Sequence, residues 1–308
     1  MCIRDRLKVI TRGDSFLFWD SGEDDPQRLF VFCTDRNIDT LEQNAHRFMD
    51  GTFKVAPELF AQLFTIHALV DNQPLSMVYV LLQSKTQADD ERVFRKLLES
   101  KNTLTPSSIL LDFEKATLQA SAAVFPHVTV TGCLFHLGQS LWRRIQNEGL
   151  VNNYRDYENV RMFAKMLLVL SFVPPDDVAE CFDELNDNRP DELAPVYDYR
   201  EDNYIGRLRS HRRSAPTFPI ALWNMRSRVT DGLTRTNNSV EGWHHAFQSS
   251  VACHHPNIYK LMDHIQTEQD HTEQQIARFS AGNQTSVSSK NKYIQVIRRL
   301  TALLLYAR

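Results

Sequence analysis

A mixed α/β sheet flanked by helices is the fold predicted for this 308-residue chain. Three observations carry the prediction. Short apolar runs with tight connections follow one another between residues 47 and 82. The apolar period then changes, and helical and extended patterns alternate up to residue 147. From 153 to 231 the spacing is helical throughout, as in an all-helical insertion. Strands in a meander followed by strands alternating with helices imply one mixed sheet.

In order, residues 29–33 read as a strand and 39–47 as a helix. Residues 47–56, 60–70 and 75–82 read as three strands, the last two separated by the turn residues Asp71-Asn72-Gln73-Pro74. Residues 88–100 form an amphipathic helix with Val93, Phe94, Leu97 and Leu98 on one face. A strand at 107–112, a helix at 114–125, a strand at 128–133 and a helix at 135–147 follow. Pro174, Pro175, Pro190, Pro195, Pro216 and Pro219 punctuate the helical block, and helices are expected again at 240–251 and 257–278. Internal repeats and low-complexity segments are absent from the sequence.

A 42% apolar content with 18 Phe suffices for a sizeable core. The longest apolar run, 166–173, stops at Pro174-Pro175 and falls short of the roughly 20 residues a membrane helix needs, so no membrane partner is expected. Five scattered cysteines (Cys2, Cys33, Cys133, Cys181, Cys253) form no disulfide framework and suit a reducing compartment. The opening Met1-Cys2-Ile3-Arg4-Asp5-Arg6 is no secretory signal and reads as adapter-encoded, and the apolar end at 303–308 reads as a cut. A net charge of −3 argues against a simple nucleic-acid coat. The charge is segregated, however: residues 176–202 are acidic, and Arg207, Arg209, Arg212 and Arg213 follow, with Arg226, Arg228 and Arg235 beyond. This stripe is a candidate phosphate-binding surface, or a solvated loop paired with the acidic stretch before it.

Three acids stand out. Asp50 lies in the extended run Phe48-Met49-Asp50-Gly51-Thr52-Phe53, Asp112 ends Ile109-Leu110-Leu111-Asp112, and Glu241 opens a helix after Asn237-Asn238-Ser239-Val240. Lone carboxylates in apolar strands are costly, which points to a divalent cation and hence to phosphate chemistry. Each has a bland alternative. Asp50 could begin an exposed turn, Asp112 could cap the next helix, and Asn238 with Glu241 has the spacing of a capping box. Cys133 and His136 have Cys-x-x-His spacing, either two zinc ligands or a buried thiol and a helix-start histidine. Trp142, Trp223 and Trp243 could stack on bases or simply fill the core.

Taken together, Asp50-Gly-Thr-Phe-Lys-Val-Ala-Pro, Gln62-Leu-Phe-Thr-Ile-His, Asp112-Phe-Glu-Lys-Ala, Phe125-Pro, Gly132-Cys-Leu-Phe-His-Leu-Gly-Gln and Arg235-Thr-Asn-Asn-Ser-Val-Glu-Gly-Trp-His resemble the transposase domain of Mutator-like elements. The resemblance covers roughly residues 28–270. It implies an RNase H-like fold with a DDE triad. Asp50, Asp112 and Glu241 would be the catalytic residues and the ligands of two Mg²⁺ (or Mn²⁺) ions, their carboxyls roughly 4–8 Å apart, with Cys133 and His136 in a supporting role. The implied reaction cuts element ends and joins the 3′-OH to target DNA. The alternatives are a domesticated DNA-binding transcription regulator without catalysis and a plain nuclease on the same fold. The implied partners are double-stranded DNA at transposon ends and target, contacted by the arginines named above and Trp223, and further copies of the chain, in the nucleus. The expected layout is a remnant at 1–27, the core at 28–150, a helical insertion at 151–234, the rest of the core at 235–280 and a tail at 281–308. The family's upstream DNA-recognition and downstream Cys/His-rich domains are not in this sequence, so the chain reads as a fragment.

Overall fold

The computed structural model describes residues 9–10, 12–210 and 212–282. The expected tail beyond 282, residues 1–8 and 11 of the opening segment and His211 therefore lie outside the described residues. The chain divides into two compact units. The first holds the chain up to Val130 and resumes at Asn237; the second runs from Thr131 to Thr236.

The first unit is built on a mixed sheet of seven strands: β1 (Leu17–Asp20), β2 (Phe30–Phe32), β3 (His46–Thr52), β4 (Gln62–Val70), β5 (Gln73–Leu82), β6 (Ser108–Leu111) and β7 (Thr129–Gly132). Its order is β1-β2-β5-β4-β3-β6-β7. The expected meander is β3-β4-β5, antiparallel throughout, and β6 joins β3 in parallel. Asp71 and Asn72 take φ of 45° and 63° at the β4–β5 connection, the left-handed pair that a two-residue hairpin requires. β1 was not expected. It lies within the segment read as a remnant and pairs antiparallel with β2, with a register shift between Leu17 and Trp19. The first helix, α1 (Asp35–Gln43), starts four residues earlier than predicted. Thr34 sets the start: its hydroxyl accepts from the Asn37 N–H at 3.2 Å, and the Asn37 side chain accepts from the Thr34 N–H at 2.8 Å.

Helices cover both faces of the sheet. On one face α1, α2 (Gln87–Ser100) and α3 (Lys115–Val124) supply Ile38, Leu41, Val93, Phe94, Leu97 and Ala120 against Met49, Ile66, Val80, Ile109 and Leu111. On the other, α11 (Asn238–Val251) and α12 (Ile258–Ser280) supply Phe247, Val251, Leu261, Met262 and Ile265 against Phe30, Phe32, Leu63, Tyr79 and Leu81. Full burial stabilises by about 1.5–3 kcal/mol per large apolar side chain, so α11 is held by its apolar stripe.

The second unit is largely helical: α4 (Leu134–Asn147), α5 (Val151–Asp156), α6 (Glu158–Val169), α7 (Val178–Asn188), α8 (Ala194–Arg200), α9 (Ile220–Trp223) and α10 (Arg226–Thr230). α4, expected in the core's first part, belongs to this unit. The block is not all helix. A π-helical turn at Glu201–Ile205 leads into a two-strand ribbon, β8 (Leu208–Arg209) with β9 (Arg212–Arg213). Among the described residues, no helix is long and apolar enough to cross a membrane.

Candidate active site

Strand register brings the two aspartates together. β3 and β6 run parallel with Phe48 opposite Leu110. Asp50 lies two residues past Phe48 and shares its face, because side chains alternate along a strand. Asp112 is the residue that follows the end of β6 at Leu111, and both aspartates line one cavity. Val240 packs with Phe48 and Leu110 in one buried cluster. That contact lays the first turn of α11, and with it Glu241, over this face.

Neither bland alternative for the helix-associated acids holds. The cap residue of α3 is Glu114, and Asp112 Oδ1 instead accepts the N–H of Phe113. The cap residue of α11 is Asn237, and no side-chain capping bond forms there. Its amide goes elsewhere: Asn237 Nδ2 donates to Asp50 Oδ2 at 3.3 Å. Glu241 is half-buried, with its Oε1 enclosed.

Asp50 is closely held. Its Oδ1 accepts the Gly51 N–H at 2.8 Å, and Oδ2 faces Asn237 and, at 3.6 Å, His244 Nε2. Burial, reinforced by the charges of Asp112, Glu241 and Glu114, pushes the Asp50 carboxyl up to about 7 against the pull of the Gly51 N–H. Burial and His245 lower His244 to about 4, so it is neutral at physiological pH and the contact with Asp50 is no ion pair. Behind Asp50 runs a buried polar chain. Ser76 Oγ meets His67 Nδ1 at 3.1 Å, His67 Nε2 meets Thr65 Oγ1 at 2.9 Å, and Thr65 Oγ1 donates to the Asp50 carbonyl at 3.2 Å. A Cβ at Gly51 would lie 2.5 Å from Gln62 Oε1, so a larger residue there requires the Gln62 side chain to shift.

Asp50 and Asp112 line a cavity of about 260 Å³ with Gly51, Phe53, Lys85 and Glu114. Among the described residues, no three His, Cys, Asp or Glu side chains are gathered as a metal-holding set. The donor chemistry nonetheless fits a hard divalent cation. Carboxylate oxygens on one sheet face repel one another strongly enough to help raise Asp50, and an added cation relieves that repulsion. Phe53, Lys85, Glu114, Thr65 and His67 had no site role in the sequence reading. All but Lys85 stand in the motifs that carry the resemblance.

The other expected residues lie apart from this cavity's lining. Cys133 is the buried cap residue of α4, and His136 stands in that helix's first turn. Trp223 is fully buried, with the Arg200 guanidinium 3.9 Å from its ring, so it offers no face to a base. Trp243 is tied into the core by its stack on Phe247 at 5.1 Å and its donation to Glu268 Oε2 at 3.0 Å. The basic stripe is partly neutralised. Arg207 pairs with Asp202 at 2.6 Å, Arg213 pairs with Glu201 at 3.0 Å and with Asp183, and buried Arg228 donates to the Thr234 carbonyl at 2.8 Å. Arg209 and Arg212 stay exposed on the ribbon, Arg226 is half-buried, and Arg235 lies 5.8 Å from the Phe172 ring.

Comparison with known proteins adds three findings. Residues 47–140 match the family model described as MULE transposase domain. No curated protein matches the chain. Among solved structures, the chain is similar to the Drosophila P element transposase strand transfer complex at 13% identity and a TM-score of 0.28, over 89% of this chain and 81% of that one.

Proposed function

Because residues 47–140 match the family model described as MULE transposase domain, we propose that this chain cuts transposon-end DNA and joins the freed 3′-OH to target DNA, with Asp50, Asp112 and Glu241 as the catalytic carboxylates. The observation that best supports the reading is the parallel pairing of β3, which carries Asp50, with β6, which Asp112 directly follows, together with the packing of α11 on both strands through Val240. The aspartates open into one cavity, and Glu241 lies near enough for its charge to act on Asp50.

Asp50, Asp112 and Glu241 would hold two Mg²⁺ or Mn²⁺ ions. Bound there, the ions supply Lewis acidity at phosphoryl oxygens and make water, or a DNA 3′-OH, nucleophilic near neutral pH. The chain's own contribution is orientation. The Gly51 N–H fixes one oxygen of Asp50, and the Asn237 amide donates to the other, with His244 Nε2 3.6 Å away. The Phe113 N–H fixes Asp112. Holding ligands in place in advance lowers the reorganisation that the reaction would otherwise require.

End-labelled duplex DNA tests the proposal. The wild-type chain with Mg²⁺ is expected to nick and then join strands, and Asp50→Ala or Glu241→Ala to do neither. Binding without cutting by the wild type would replace this reading with that of a non-catalytic DNA-binding regulator.

A further inference from the structure

The cavity wall carries two residues that the carboxylate chemistry does not use. Lys85 follows β5, and Phe53 follows β3 by one residue. Both line the cavity that Asp50 and Asp112 open into. The Lys85 ammonium stands 3.5 Å from the centroid of the Phe53 ring and 3.4 Å from Glu114 Oε1. Phe53 is 45% exposed, and the Lys85 side chain 35%.

We propose that Lys85 and Phe53 form a nucleotide subsite, in which Lys85 takes a phosphate oxygen of the DNA strand and Phe53 stacks on an unpaired base beside it. The inference rests on the reading of the cavity as the cleavage site.

Charge is the first argument. A phosphodiester entering a cavity walled by Asp50, Asp112 and Glu114 meets repulsion, and Lys85 is the one cationic side chain among the described residues lining it. An ammonium has three donors. Glu114 accepts at a long 3.4 Å, a contact weak enough to be exchanged for a phosphate oxygen. The ring is the second argument. Lys85 lies over the Phe53 ring, which remains largely in solvent. Every base has a π face, so an exposed ring beside a phosphate-binding cation accepts any unpaired base. The segment is also fixed: the Ala56 N–H donates to the Phe53 carbonyl at 3.1 Å, and Val55 and Ala56 are buried. Phe53 is therefore held at the cavity mouth by its own turn.

The test is a titration of the full chain with a single-stranded oligonucleotide carrying 2-aminopurine, with Ca²⁺ present to hold off cutting. The wild type is expected to quench the fluorescence. Phe53→Leu should lose the quenching and bind about tenfold more weakly. Lys85→Gln should lower the slope of log affinity against log salt by about 0.7, the share of one single-strand phosphate, and Lys85→Arg should restore it. A structural role for Lys85 would not move that slope. Absence of quenching by the wild type, undiminished quenching by Phe53→Leu, or an unchanged slope in Lys85→Gln overturns the subsite. Cleavage by Asp50→Asn separates the two levels. If Asp50→Asn is inactive while the Lys85 and Phe53 variants bind as wild type, only the subsite falls. If Asp50→Asn cuts normally, the cleavage-site reading falls with it.

Discussion

His244 Nε2 lies 3.6 Å from Asp50 Oδ2, joining helix α11 to strand β3 one helical turn beyond Glu241. The same carboxylate oxygen receives the amide of Asn237, the cap residue of that helix. Two residues flanking Glu241 thus face Asp50, one through a hydrogen bond and one through a longer contact, and the helix has no side-chain cap of its own. An uncapped helix start costs about 1 kcal/mol, which the Val240 contact with Phe48 and Leu110 helps offset.

His244 and Asn237 are therefore expected to act as positioning residues. His244→Leu and Asn237→Ala should each lower cleavage by about 10- to 100-fold, the usual range for residues that orient metal ligands. His244→Gln, which keeps a donor, should recover part of the loss. Single-turnover cleavage together with Mn²⁺ titration by electron paramagnetic resonance checks this. Full activity in His244→Leu would leave the contact with a packing role only.

Asp50 should make the chain less stable as pH rises. Its carboxyl is raised from the ordinary 3.8 to about 7, so between those values the folded state holds more protons than the unfolded state. Stability from this group is complete at acid pH and is lost as pH rises through about 7. Asp50→Asn, without divalent cations, should gain on the order of 4 kcal/mol at pH 8 relative to wild type, and little at pH 4. Urea unfolding at the two pH values measures it. Mg²⁺ should narrow the gap at pH 8 by stabilising the wild type alone.

His67 should have the opposite sign. Complete burial holds it well below the ordinary 6.5, with His244 adding to the effect, and both ring nitrogens are used by Thr65 and Ser76. The unfolded state takes up the proton first, so this contribution is present above about 6.5 and lost as pH falls below it. His67→Gln should flatten the acid limb of the stability profile below pH 6.5. A limb unchanged in that variant would assign the loss to other groups.

Gly51→Ala should destabilise the sheet by about 1–3 kcal/mol through overpacking, because the new methyl meets Gln62 Oε1. Gln62→Ala in the same chain should return most of that loss. Thermal unfolding of the single and double variants forms the cycle, and additive losses would show that the two positions do not touch.

Much of the sheet unit was legible because it follows local rules. Short apolar runs with tight connections marked β3 to β5, and the change of apolar period marked α2, β6 and α3. β1 escaped because four partly buried residues carry no alternation and are strand only through pairing with β2. α1 starts earlier than expected because its start is set by the polar pair Thr34 and Asn37, which leaves no mark in the apolar spacing. The acids were visible as charges in apolar company, but their supports were not. Thr65, His67 and Ser76 read as ordinary strand residues until β4 and β5 pair and align them. Lys85 and Phe53 come from two separate connections that only the sheet brings to one cavity. Trp223 was misread because nothing local reveals that Arg200 covers its ring.

The most direct measurement is Mg²⁺-dependent nicking of end-labelled DNA by the wild-type chain beside Asp50→Asn, Asp112→Asn and Glu241→Gln, each first shown to be folded. The account predicts cutting by the wild type and a loss of at least about 100-fold in every variant, since it makes each carboxylate a ligand of the same paired ions. Wild-type nicking rates in any one of the three would contradict it.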